Sequence, residues 1–165
     1  MKTFREFLNE SPEDFNHPRH KFTQETAFRK TIPTGEFFIK IEDIDFYFSD
    51  KPLNYIIDGV KNGVIVLTGK ISTADKVRYF DTLWKDKSLD SSVIDSMFFN
   101  ILIPKFKVFY SGTLQTVGSK AMWKRISSSA KEFGVYDSRT KHHNIISIND
   151  MDKYSNSQRY QFYVK

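Results

Sequence analysis

Between Phe37 and Ile71 apolar side chains come in short runs, several of them alternating with polar ones, separated by turn residues, and a chain patterned this way is committed to strands. Phe37, Ile39 and Ile41 alternate with Phe38, Lys40 and Glu42, after which the apolar phase flips to Ile44, Phe46 and Phe48. Strand side chains repeat every two residues, so the phase change at Glu42-Asp43 requires a tight turn or a bulge. Farther on, Asn54–Asp58 and Val64–Ile71 flank Lys61-Asn62-Gly63. Asn-Gly between apolar runs marks a two-residue hairpin, because both central residues of a type I′ turn need positive φ. A meander of three or four antiparallel strands is the simplest reading.

Beyond the meander the pattern turns helical. Thr73 is placed to cap a helix carrying Val77, Phe80 and Trp84 on one face, and a second helical piece begins near Asp90 with Val93 and Met97 inward. Phe98 to Ile103 reads as a buried strand or as the end of that helix, and Pro104 closes it. Phe106, Val108 and Tyr110 alternate with Lys107 and Phe109 as a strand reaching Ser111-Gly112. Met122, Ile126, Ala130 and Phe133 then form a helical stripe, with Gly134 at the left-handed C-cap position. A polar loop holding His142-His143, a short strand from Asn144 to Ile148 and a last strand on Tyr160, Phe162 and Val164 complete the chain. The expected fold class is α+β, a mainly antiparallel central sheet with flanking helices.

Composition narrows what such a fold can do. With 39% hydrophobic residues and 16 Phe, the 165-residue chain has ample apolar surface for a core. It contains no Cys, which removes disulfides and thiolate chemistry. No apolar run approaches the roughly 20 residues a bilayer span needs, so no membrane partner is expected. Arg5, Glu6 and Asn9 interrupt Phe4, Phe7 and Leu8, so the start lacks the apolar centre of a signal peptide. Charge is uneven. Residues 1–100 hold 14 Lys+Arg against 16 Asp+Glu, net −2, whereas residues 101–165 hold 11 against 4, net +7. That asymmetry marks either a surface for an anionic partner or an ordinary solvated basic face.

The first ten residues, Met1-Lys2-Thr3-Phe4-Arg5-Glu6-Phe7-Leu8-Asn9-Glu10, carry a resemblance. They look like the capsid-targeting leader of internal head proteins in T-even-type phages, in which a prohead protease cuts after the Glu of a Leu/Ile-x-Glu site. The resemblance implies cleavage between Glu10 and Ser11, packaging in the virion head interior, and the phage prohead protease as a partner. Ser11-Pro12-Glu13-Asp14 is itself a fresh helix start, with Ser as cap and Pro at the first position. The alternative is a capped amphipathic helix docking Phe4, Phe7 and Leu8. The domain organisation expected is a leader at 1–10, a polar segment with a short helix at 11–34, and one α+β domain at 35–165.

A second resemblance lies at Gln115-Thr116-Val117-Gly118-Ser119-Lys120, between an expected strand and the clearest helix in the chain. A helix N-terminus offers orphan N–H groups and partial positive charge, which suits pyrophosphate. The segment resembles the acyl-CoA loop of GNAT acetyltransferases, Gln/Arg-x-x-Gly-x-Gly/Ala. It matches at Gln115 and Gly118 and departs at Lys120, where that family has a small residue. The resemblance implies a GNAT-like outline, acetyl-CoA as cofactor held by Gln115 to Lys120, and acetylation of an amine on a host protein in the host cytoplasm. It also implies a catalytic acid, for which Tyr154 is the Tyr placed most nearly; a packed aromatic is the other reading of Tyr154. The strand segment from Lys105 to Tyr110 contains no carboxylate to serve as base. The competing function is a non-enzymatic head or host-takeover protein that binds host protein or nucleic acid.

Other constellations say less. His17-x-x-His20 and His142-His143 lack the Cys or spaced carboxylates that would complete a metal site, and loop histidines are the better reading. Lys120, Lys124, Arg125 and Lys131 lie along one expected helix, with 120, 124 and 131 sharing a face. Phosphate contact through that face would be non-specific and salt-sensitive.

Overall fold

In a computed structural model the described residues are 32–51, 54–113, 116–155 and 157–165. The leader with Glu10 and Ser11, most of the polar segment that follows it, and Gln115 lie outside them. The fold is α+β and its strands pair mostly antiparallel. The chain divides into two compact units at Asn100/Ile101.

The first unit is the meander, extended by one strand. β1 (Glu36–Ile41), β2 (Ile44–Lys51), β3 (Asn54–Lys61), β4 (Val64–Ala74) and β5 (Val77–Lys85) pair in sequence order. The phase change at Glu42-Asp43 is a tight turn, with Glu42 at φ 55°. The next hairpin turns on Asn62 and Gly63, at φ 52° and 76°, the double positive φ that Asn-Gly supplies. Ile44, Phe46, Ile57, Leu67 and Ile71 from β2, β3 and β4 form a fully buried core. The Asp58 carboxylate is buried on the opposite face, level with Tyr47 and Thr68, where it accepts from the Thr34 main-chain N–H (2.6 Å) and the Thr68 hydroxyl (2.6 Å). These bonds satisfy a buried acid and tie residue 34 to the sheet.

The expected helix on Val77, Phe80 and Trp84 is instead β5, and Thr73 lies within β4 rather than capping anything. The turn between them uses Asp75 and Lys76 at φ 50° and 68°, with no Gly to announce it. Val77, Phe80 and Trp84 do not form one face there, since Phe80 pairs with Ile71 and Trp84 with Thr68, on opposite sides of the sheet. Register passes from Lys70↔Thr82 to Ile71↔Phe80, leaving Asp81 as the extra residue of a bulge. Phe80 and Leu83, three apart, thereby reach the same place, since a Cβ on Gly69 would meet both.

Helix α1 (Ser92–Met97) begins near Asp90 as expected, with the Asp90 carboxylate accepting from the Ser92 N–H (2.7 Å) and Val93, Ile94 and Met97 buried. Phe98 then stands edge-on to Phe80 (5.9 Å). Pro104 does not close the run. A π-helical stretch, Phe98–Leu102, precedes it, and Pro104 enters the first turn of α2 (Ile103–Phe106), where a missing N–H is tolerated. The strand expected from Phe106 is only β6 (Phe109–Tyr110), because Phe106 is helical and Lys107 has φ 65°.

The second unit, residues 101–165, contains β6, α3 (Val117–Ser129), β7 (Phe133–Asp137), β8 (His142–Ile145), a 3₁₀ turn (Ile148–Asp150), α4 (Met151–Tyr154) and β9 (Tyr160–Val164). β9 inserts between β6 and β7, giving the order β6-β9-β7-β8. Helix α3 stops at Ser129 with Ala130 already extended, so Phe133 and Gly134 belong to β7 and Gly134 is no C-cap. A Cβ there would lie 2.3 Å from the Asn144 carbonyl oxygen and 2.7 Å from the Tyr163 ring, so only Gly fits. His142 and His143 are in strand β8, not a loop, and the strand ends at Ile145, short of Ile148.

Strand alternation gives this sheet two distinct faces. Phe109, Phe133, Val135, Phe162 and Val164 lie on one and are all buried. Tyr110, Tyr163, Gln161, Tyr136, His143 and Ile145 lie on the other, as the pairings Tyr110↔Tyr163↔Gly134↔Ile145 and Gln161↔Tyr136↔His143 require. Helix α3 packs on β9 and buries Trp123 and Ile126.

Candidate functional site

Two regions of the second unit hold side chains whose chemistry is more than packing. The first is the start of α3. Thr116 caps it, its hydroxyl accepting from the Ser119 N–H (3.1 Å), and its carbonyl takes the Lys120 N–H (2.9 Å). The Val117 and Gly118 N–H groups are left as the orphan donors of the first turn. No acid occupies that turn, Val117 is 63% exposed, and nothing lies within 4 Å of where a Gly118 Cβ would stand. Protein packing therefore does not demand Gly at 118. Thr116 to Lys120 do converge on one helix end.

The remaining residues singled out in the sequence are arranged otherwise. Tyr154, on α4, packs its ring edge-on against Tyr160 (5.0 Å). Asp152 of α4 lies 3.9 Å from the Lys124 ammonium, which places α4 beside the middle of α3. Six residues separate Lys124 from Gly118, about 9 Å along a helix axis. Lys131 does not continue the face of Lys120 and Lys124, because the helix has ended; its N–H instead donates to the Lys165 carbonyl (3.1 Å). Arg125 is one position, and so about 100°, round the helix from Lys124.

The second region is the tyrosine–histidine face of the sheet, which the sequence alone did not reveal. The Tyr110 hydroxyl lies 2.9 Å from His143 Nε2. His143 also packs on Tyr136 and Tyr163, ring centroids 4.9 Å away in each case. His143 is exposed as a residue, yet these rings strip water from its imidazole. That burial, with the Lys165 charge second, holds its pKa below the ordinary histidine value, against an opposing pull from Glu132. The Tyr163 hydroxyl donates to Glu132 (3.0 Å), and burial followed by that bond pushes its pKa up to about 12. Lys165 pairs with the same carboxylate (2.6 Å), and its bond, ahead of Tyr163's, holds Glu132 below the usual carboxylate range.

At the far end of this sheet Asp137 and Arg159 form a bidentate pair, with Arg159 Nε donating to Oδ1 (2.8 Å) and the second nitrogen to Oδ2. Asp137 also accepts from the Arg139 N–H (2.9 Å), ordering the turn into β8. The guanidinium, as the largest cause, keeps the Asp137 carboxyl far below its usual range. Both of its oxygens are engaged, so it is a clamp on the turn rather than a reactive group. Among the described residues no cluster of His, Cys, Asp or Glu could hold a metal ion, and no helix is long and apolar enough to cross a membrane.

No protein family, curated protein or solved structure matches this chain.

Proposed function

We propose that the chain is a phage accessory protein of GNAT-like outline that takes the phosphates of an acyl-CoA, acetyl-CoA first among them, at the start of α3. The observation that carries the reading is the open first turn. Orphan N–H donors at Val117 and Gly118 sit beside a Gly without a packing reason, on a 13-residue helix with no acid in its first turn. Such a helix end is electrostatically suited to phosphate. Lys120 follows one turn in and adds a point charge for the same ligand. Acetyl transfer to an amine on a host protein is the activity that goes with this ligand.

A non-enzymatic head or takeover protein, acting by binding, is favoured by Tyr154. Its ring is occupied by Tyr160, and its helix lies beside the middle of α3 rather than its start. Thermal-shift titration with acetyl-CoA separates the two, because a ligand that binds the native state raises its melting temperature by mass action. A rise that is lost in Gly118→Asp supports the acyl-CoA site, and amine acetylation in the same mixture supports the enzyme. No rise at millimolar acetyl-CoA leaves the binding-protein reading in its place.

A further inference from the structure

Strand β8 ends the order β6-β9-β7-β8, and all of its residues, His142, His143, Asn144 and Ile145, are exposed. Hydrogen bonding in an antiparallel pair alternates, so each residue directs its N–H and C=O either to the partner strand or away from it. The Ile146 N–H donates to the Phe133 carbonyl (3.3 Å), and Asn144 pairs with Val135 two residues along. Residues 142, 144 and 146 therefore face β7, and the main-chain groups of His143 and Ile145 are directed to the outer edge. An edge of this kind is a template for another strand unless it is blocked.

An outer strand of the first unit, β1, shows what blocking looks like. In β1 the register slips between Phe37 and Ile39, leaving Phe38 as a bulge, and Glu36 and Lys40 bracket it with charge. β8 has an unbroken register with β7 and contains no Pro, Lys or acid. Its side chains add specificity. Ile145 is 74% exposed, on the same sheet face as Tyr110, Tyr136 and Tyr163.

Charge selects the occupant. The turn that feeds β8 presents exposed Arg139 and Lys141, and His142 follows. The carboxylate at the start of this turn, Asp137, is held by Arg159, and Glu132 by Lys165. Residues 101–165 carry net +7. We propose that β8 is a docking edge for an extended, acidic segment of a partner protein, which adds an antiparallel strand and pairs with His143 and Ile145. Antiparallel pairing brings the segment's C-terminal half beside Arg139 and Lys141, so its acids belong there. The proposal does not depend on acyl-CoA binding at α3.

The test uses the full chain and a fluorescein-labelled peptide, Ser-Val-Thr-Val-Thr-Glu-Asp-Glu, read by fluorescence anisotropy. The expected result is saturable binding that weakens at least tenfold when the three acids become Lys, and at least threefold in Arg139→Glu. Ile145→Pro removes one outward N–H that the ladder to β7 does not use, so binding should fall at least tenfold with the melting temperature nearly unchanged. Should that variant unfold, the peptide N-methylated at alternate residues asks the same question, because one of its edges can no longer pair. Equal binding of the acidic and Lys peptides, retention of binding by both the Pro variant and the N-methylated peptides, or no binding at millimolar peptide would overturn the proposal. Competition by oligo(dT) for a site that survives Ile145→Pro would overturn it in favour of a polyanion surface. A dimer of the chain that Ile145→Pro dissolves would overturn it in favour of a second copy.

Discussion

The Tyr110 hydroxyl and His143 Nε2 meet at 2.9 Å from strands that are not neighbours, across the buried ring of Tyr163. With the imidazole neutral and its proton on Nδ1, Tyr110 donates to Nε2; protonation would reverse that bond, with Nε2–H donating to the Tyr110 oxygen, and would put a charge among the rings that exclude water. The folded pKa of His143 is depressed, so the unfolded chain binds its proton more readily. Stability should therefore fall as pH drops below the unfolded histidine value of about 6.5. The Asp137 contribution has a separate window, being fully present above the unfolded carboxylate value of about 4 and lost as pH falls from there through its depressed folded value. The expected outcome is a melting temperature lower at about pH 5.5 than at about pH 7.5, with the difference smaller in His143→Gln. An equal difference in both proteins would show that His143 does not titrate as described.

The Asn62-Gly63 turn is structural. Gly63 sits at φ 76° with nothing within 4 Å of a Cβ, so strain rather than crowding opposes a side chain there. Gly63→Val should destabilise by more than about 1 kcal/mol, whereas Gly63→Asn, which tolerates that region, should lose less. Urea unfolding of the three proteins checks the order. A Val variant as stable as the parent would contradict the turn geometry.

Gly134 tests the opposite situation, with ordinary φ and no room. Its Cβ would collide with main chain at Asn144 as well as with the Tyr163 ring, and main chain cannot step aside as a flexible side chain can. Gly134→Ala should destabilise by about 2 kcal/mol or more. Tyr163→Phe leaves the ring in place, so adding it should not rescue the variant, although it removes the hydroxyl bond to Glu132. Rescue by Phe would mean that the hydroxyl alone made the clash.

These cases explain which parts of the fold were legible in the sequence. The meander was, because alternation and an Asn-Gly turn are local signals, and the last strand was for the same reason. β5 was not, because Val77, Phe80 and Trp84 have helical spacing in the sequence although the strand places Phe80 and Trp84 on opposite faces, and Asp75-Lys76 turns the chain without Gly or Pro. Gly134 looked like a helix cap because it follows an apolar stripe; its true reason is the Asn144 carbonyl and the Tyr163 ring, from two other strands. The start of α3 was legible only approximately: Val117 to Lys120, read as a loop before the helix, form its first turn, with Thr116 as the cap. The tyrosine–histidine face was not, since Tyr110 and His143 stand 33 residues apart and only the insertion of β9 between β6 and β7 brings their strands together.

The α3 site makes the last prediction, at Lys120. The ammonium can act on a phosphate at the Val117 and Gly118 N–H groups in either of two ways. It pairs with the anion, or its side chain obstructs the approach that a small residue would allow. In the first case Lys120→Gly should weaken acetyl-CoA binding about fivefold to tenfold, the loss of one charged contact of roughly 1 kcal/mol, and Lys120→Arg should largely preserve it. In the second, Lys120→Gly should tighten binding and Lys120→Arg should weaken it further. The first outcome is expected, because Gly118 already provides the open space beside the orphan donors. Calorimetric titration with acetyl-CoA reads the sign directly, and Gly118→Asp in the same series should abolish most of the affinity by placing a carboxylate where the phosphate binds. Replacing Lys120 also places another Gly in the first turn of α3, so each variant's melting temperature must be measured without ligand to separate helix loss from ligand loss. Affinity unchanged by all three substitutions would mean that acetyl-CoA, if bound, does not bind at the start of α3.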